Sequence, residues 1–413
     1  MKRRTLSALL AAALALSLMS GGALAADAAP EPEEKNPAEA YIPDPEGTVT
    51  FQNLERRMRE GNLQIRSLQE NVDILEELDY DKLQENLRLQ LNQMAQAQWM
   101  MVQMGQSGTL AYERMDQAYD SVRDQFDAIK DGDMQEDNAE TVRQLQNLQN
   151  QILMAGEATY IALSAMELQE DGLERQLAAM DRRLTELQLR YELGHISSNA
   201  LKEAQAGRSS LNSGLATLRM NLNTYKGQME LLIGAELTGE IGLAALPAVP
   251  LEDLAAMDLE QDLARAKEAS WNLFQATETM EEARKDYNNM GGDAAQEYRQ
   301  KETSYKQARH NWLSAKYTYE DAIQNFELSL RNQYLKVQDY QQILDASKIS
   351  LEVKEDSYAA AKLKYEQGAV SVNTLLEAED ERDAAREAVS SAANDLFSAY
   401  NTYRWAVDYG VIN

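Results

Sequence analysis

The placement of proline constrains this chain more than any other feature. Five of its seven prolines lie between Asp27 and Gly47, and the other two are Pro247 and Pro250. Thr48–Leu246 and Leu251–Asn413 contain none. Proline inside a helix removes a hydrogen bond and costs about 3 kcal/mol. Two such stretches, poor in glycine and rich in Ala, Leu, Gln, Glu, Lys, Arg and Met, therefore read as helix nearly throughout. In the second, Phe326, Leu330, Tyr334, Val337 and Leu344, then Leu351, Tyr358, Leu363 and Tyr365, recur mostly at spacings of three, four and seven, which predicts one buried stripe. A continuous helix from about Glu140 to Tyr191 would be roughly 75 Å long. That length outruns any compact core, so the helix needs neighbours all along it.

Within these helical stretches one turn is written twice. YELGHISSNALKEAQ, Tyr191–Gln205, returns 174 positions later as YEQGAVSVNTLLEAE, Tyr365–Glu379, with eight of fifteen positions identical. The register continues upstream without a gap, pairing Tyr160 with Tyr334, Ile161 with Leu335 and Leu177 with Leu351. This is an internal duplication. Gly194 and Gly368 suit the left-handed position that ends a helix. Ser197, Ser198 and Asn199, or Ser371, Asn373 and Thr374, can cap the next one, and Thr374 with Glu377 has capping-box spacing. Each copy is predicted to turn one long helix sharply into another, giving two long helical hairpins.

The N-terminal stretch MKRRTLSALLAAALALSLMSGGALA has a basic start, an apolar run broken by Gly21-Gly22 and the small-residue site Ala23-Leu24-Ala25, and reads as a secretory signal cleaved near Ala26. Its removal takes Lys2, Arg3 and Arg4 and no acid, so the formal charge moves from −28 to −31. That charge excludes nucleic acid or anionic lipid bound through a basic face. There is no cysteine, so neither disulfides nor lipoprotein acylation is available. Beyond the signal no apolar run is long enough to span a bilayer as a helix. The predicted organisation is a signal peptide over 1–25, an acidic proline-rich, mobile leader over 26–47, a first helical repeat over 48–236, a linker over 237–257 and a second helical repeat over 258–413.

The doubled pattern Tyr-Glu-x-Gly-x-(Ile/Val)-Ser-x-Asn-x-Leu-x-Glu-Ala, each copy followed by an amphipathic helix ending near Gly234 or Gly410, resembles the TolC family of efflux and secretion ducts. The leader, the linker with its prolines and the starting segments VTFQNLERRMREGNLQIRS and MDLEQDLARAKEASWNLFQA fit the same layout, so the resemblance covers most of the chain. It implies a protomer of long antiparallel helical hairpins, of which three build an α-helical barrel in the cell envelope; with the missing strands described below, the fold expected here is all-α, with little or no β-barrel. It also implies that the turn-bearing tip docks an adaptor protein serving an inner-membrane pump such as an ABC transporter. Carried onto this sequence, the docking residues are Tyr191, Gly194, Ser197, Asn199 and Leu201 with Tyr365, Gly368, Ser371, Asn373 and Leu375. Glu203, Glu377 and Glu379 are candidate entrance carboxylates, since in a trimer the equivalent Glu203 and Glu377 become six carboxylates near one opening.

Two departures from the family are legible. The family inserts two β-strands into each half, which close an outer-membrane barrel in the trimer. Here the second half offers only KDYNNMGGDAAQEYRQ, Lys285–Gln300, with no room for them. The first half has room from about Leu83 to Phe126, yet is rich in Gln, Leu and Met at helical spacing. Both strand pairs are read as missing. The family's closing links at the tip, an acid after the first turn meeting the tyrosine of the second, also change, because Tyr365 is present but the acidic position is Ala200 and a basic one is Val370.

His195 and His310, the only histidines, lie on different segments, so no metal or catalytic site is expected. Met94, Met100, Met101 and Met104 read as packing against partner helices rather than soft-metal ligands. Trp99, Trp271, Trp312 and Trp405 read as helix contacts or a partner surface. With no nucleophile elbow, phosphate loop or zinc motif, neither an enzyme nor a cofactor is expected. The rival expectation is a secreted coiled-coil scaffold or regulator of the envelope with no transport role.

Overall fold

The computed structural model describes residues 43–299 and 301–412; the signal and most of the leader lie outside them. A two-residue strand β1, Thr48–Val49, precedes helices α1 Phe51–Gly61, α2 Leu63–Glu76, α3 Tyr80–Gln103, α4 Leu110–Asp131, α5 Asp133–Glu192 and α6 Ser198–Leu232. Strand β2, Gly242–Leu243, is followed by α7 Leu251–Ala256, α8 Leu259–Ala269, α9 Trp271–Asn289, a 3-10 turn Gly292–Ala295, α10 Gln296–Arg299, α11 Thr303–Glu366 and α12 Val372–Tyr409. The 64 residues of α11 extend about 96 Å. The stretch expected to be helical from Glu140 to Tyr191 lies within α5.

Among the described residues two compact units are distinguishable, one over residues 70–145 and one over residues 44–69 together with those from Gln146 onwards. In the first, Asp79 caps α3 by accepting from Lys82 N at 3.0 Å, and Thr109 caps α4 by accepting from Tyr112 N at 3.3 Å. The half-buried positions of α3 (Leu83, Leu87, Leu91, Met94, Met101) and of α4 (Tyr112, Met115, Tyr119, Val122, Phe126) recur at coiled-coil spacings, so the two form an antiparallel hairpin. This hairpin fills the stretch with room for a first strand pair. Low β-propensity and a seven-residue apolar repeat decide for helix there.

In the second unit the starting segments are bent helices of one design. Asn62 and Ser270 each stand in extended conformation, end one helix and cap the next. Asn62 Oδ1 accepts from Ile65 N at 3.1 Å, and Ser270 Oγ from Leu273 N at 3.4 Å. A Cβ on Gly61 would lie 1.9 Å from Ile233 O, and one on Gly234 2.3 Å from Gly61 O, so only glycine lets these backbones meet. Strands β1 and β2 pair in parallel, and Tyr160 donates its hydroxyl hydrogen between Val49 O at 2.9 Å and Ala244 O at 2.6 Å. One core gathers Leu54, Met58, Leu153, Tyr160, Met229 and Trp405; a second gathers Leu263, Leu273, Phe326, Leu330, Val337 and Tyr403. Where a second strand pair has no room, the chain turns through Gly291 and Gly292. Tyr305 donates to Gly292 O at 2.8 Å, Tyr287 to Asp293 Oδ1 at 2.9 Å, and Trp312 stacks on Tyr287 at 5.1 Å.

Two expectations are corrected here. The end of the leader is not loose: Asp44 accepts from Thr50 Oγ1 at 2.6 Å, Asn53 Nδ2 at 2.7 Å and Arg57 Nη1 at 3.1 Å, which pins it to α1. The buried stripe of α11 also ends early, since Leu363 is exposed and Tyr365 is 41 % exposed.

Candidate functional site

The two turns are built alike, atom for atom. After α5, Gly194 has φ 76°, Gly194 N donates to Tyr191 O at 2.9 Å and His195 N to Arg190 O at 2.8 Å. After α11, Gly368 has φ 71°, Gly368 N donates to Tyr365 O at 2.9 Å and Ala369 N to Lys364 O at 2.8 Å. Both are Schellman ends, which satisfy the last carbonyls of a helix by sending one residue through left-handed space. Ser197 Oγ then accepts from Ala200 N, and Ser371 Oγ from Thr374 N, each at 3.2 Å. The caps are thus the serines. Thr374 sits inside α12 with its own N–H spent on Ser371, so the Thr374–Glu377 capping box does not form.

The candidate docking residues divide by burial. Tyr191, Gly194, Ser197 and Asn199 are exposed, as are Tyr365, Gly368, Ser371 and Asn373. Leu201 is buried and Leu375 half-buried, holding the following helices in place. Asn373 Nδ2 donates to Glu186 Oε2 on α5 at 3.3 Å, so it links the two hairpins as well as facing solvent. Glu203 and Glu377 are exposed, whereas Glu379 is held by Arg382 Nη2 at 3.2 Å.

Below the turns runs a lacing of ion pairs that the sequence reading missed. Arg182 pairs with Asp380 and Arg175 with Glu387, joining α5 to α12, while Arg208 pairs with Asp181 across the first hairpin. Lys354 reaches Glu381 and Arg386 reaches Glu355, both at 2.8 Å, across the second. Arg382 also meets Asp383 at 2.7 Å and lies over the Tyr358 ring at 4.2 Å; Asp383 chiefly holds its guanidinium in the charged form. The Glu379–Arg382 spacing of three was a legible signal; the cross-helix pairs were not, because they depend on rotation about each helix. Among the described residues no group of three or more His, Cys, Asp or Glu is placed to hold a metal ion.

No protein-family model matches the chain, and no curated protein matches it in sequence. Solved structures do. It is similar to the outer-membrane channel OprN, with a TM-score of 0.50 at 15 % identity over 87 % of this chain and 89 % of that one. It is similar also to a membrane protein from Pseudomonas aeruginosa, with a TM-score of 0.51 at 12 % identity over 92 % and 98 % of the two chains. The fold is TolC-like. At these identities the likeness is one of fold, and within the TolC-like fold the turns at Gly194 and Gly368 are the ends of the two long hairpins. The strand pairs are missing from this version of it: among the described residues the strands are Thr48–Val49 and Gly242–Leu243. No helix among them is long and apolar enough to cross a membrane.

Proposed function

We propose that this chain is the duct component of a multipart efflux or type I-like secretion system of the cell envelope, built from two helical repeats and performing no chemistry of its own. Three copies enclose a helical conduit. The paired turns Tyr191–Leu201 and Tyr365–Leu375 form the surface on which an adaptor protein docks, with an inner-membrane pump such as an ABC transporter beyond it. The observation that carries this reading is the duplicated turn: two long hairpins, 174 positions apart in sequence, end in the same hydrogen-bond pattern on a fold similar to that of an outer-membrane channel.

The decisive experiment combines the mass of the purified chain beginning at Ala26 with export measured in cells lacking the gene. A trimer, together with export restored by the wild-type gene but not by Gly194→Val with Gly368→Val, supports the reading. A monomer, with export unaffected by deletion, leaves the chain as an envelope scaffold.

A further inference from the structure

Hairpin α3–α4 carries a feature that the turn-bearing tips do not explain. From Leu89 to Tyr112, 24 consecutive residues hold no charged side chain, in a chain that is 26 % charged with a net charge of −28. At that density about six charges would fall there. The uncharged stretch occupies the second part of α3, the loop and the start of α4; from Glu113 onwards α4 is charged again.

The same part of the hairpin is incompletely packed. None of the 24 residues of α3 is buried, and the one buried side chain on α4 is Ile129. Leu89, Trp99, Met100, Val102, Met104 and Leu110 are each between 48 % and 65 % exposed. Two antiparallel helices cannot enclose a core between them, so their seam stays half open until a further helix covers it. On the outer face Leu89, Gln93, Gln96 and Met100 follow at spacings of four, three and four, forming one straight line along α3, all exposed.

Three kinds of cover can be compared. A lipid surface would accept Trp99 and Met100, but the amides of Gln93 and Gln96 on the same line would lose water without gaining partners. An unrelated protein would need its own matching amides. An identical hairpin supplies them automatically, because a glutamine amide is both donor and acceptor. Charge points the same way: copies of a chain at −28 repel one another, and this wall is where they can approach without opposing like charges.

We propose that the uncharged wall of α3 is a self-association surface, on which the same hairpin of a second copy of this chain packs, closing the open seam with apolar side chains and pairing glutamine with glutamine. This rests on the reading of the chain as one of several identical copies, and it puts helix-to-helix contact where the resemblance leads one to expect strand-to-strand contact.

The test uses hydrogen–deuterium exchange and sedimentation on the full chain from Ala26. Amides of peptides within 83–126 should gain protection as protein concentration rises. Gln93→Glu with Gln96→Glu should weaken association by roughly tenfold or more, since opposed like charges cost several kcal/mol. Gln117→Glu, on the charged part of α4, should change neither readout. Association that persists with 83–126 unprotected and the double variant unchanged overturns the inference and leaves the duct reading intact. A chain that stays single at every concentration overturns both. Protection appearing only with neutral phosphatidylcholine vesicles, with a shift in Trp99 emission, assigns the wall to lipid and overturns the inference.

Discussion

Glu230 is 1 % exposed and still ionised, because a loop closes around it. Burial pushes its carboxyl up, but Thr238 N at 2.8 Å, Thr238 Oγ1 at 2.7 Å and Gly239 N at 2.8 Å, with Glu240 N and Ile241 N, outweigh burial and hold it below the ordinary 4.5. The folded state therefore binds this proton less readily than the unfolded chain. The resulting stability is fully present above pH 4.5 and is lost as pH falls through the folded value. Melting followed by circular dichroism from about pH 3 to 7 should show this acid limb, and Glu230→Gln should flatten it while costing about 1–3 kcal/mol at neutral pH. The tip glycines fail differently. A Cβ at Gly194 or Gly368 would meet nothing within 4 Å, so its cost is backbone strain alone, on the order of 1 kcal/mol for alanine and more for valine. Gly368→Ala should lower stability only slightly; valine at both positions should reduce export without unfolding the cores.

At the scale of elements, Glu203 and Glu377 are each the sixth residue of their helices, α6 from Ser198 and α12 from Val372. A helix dipole acts mainly within the first turn, so it gives these acids little stability. Glu203→Gln with Glu377→Gln should leave the melting temperature nearly unchanged, within about 0.5 kcal/mol in equivalent stability. In a reconstituted tube the same pair should lose preference for a cationic over an anionic probe, as removal of a ring of like charge would require. Unchanged selectivity would remove both from the entrance. Glu379 is excluded from the test because its carboxylate is engaged by Arg382 at 3.2 Å.

For the molecule as a whole, one buried acid contributes to the join between the two repeats, beside the ion pairs of Arg175 and Arg182. Glu157 on α5 is 2 % exposed and accepts from Asn401 Nδ2 at 2.7 Å and Trp405 Nε1 at 2.5 Å on α12, with Arg404 at 3.6 Å. Glu157→Ala strands two buried donors and should cost about 1–3 kcal/mol, read as a lower midpoint of thermal unfolding. Nothing in the sequence singles out Glu157, since a lone acid in a helix usually faces solvent. The helical character of the two stretches and the doubled turn follow from local rules: no proline, strong helix formers, and a glycine and a serine three residues apart at Gly194–Ser197 and Gly368–Ser371. Those rules act within a few residues, so the sequence alone determined them, as it determined that Lys285–Gln300 leaves no room for strands. Two things depended on tertiary structure: where the stripe of α11 loses its cover, and which charges meet across helices. Each depends on the rotation and closeness of segments far apart in the chain, a geometry set by packing all the helices together rather than by any one of them.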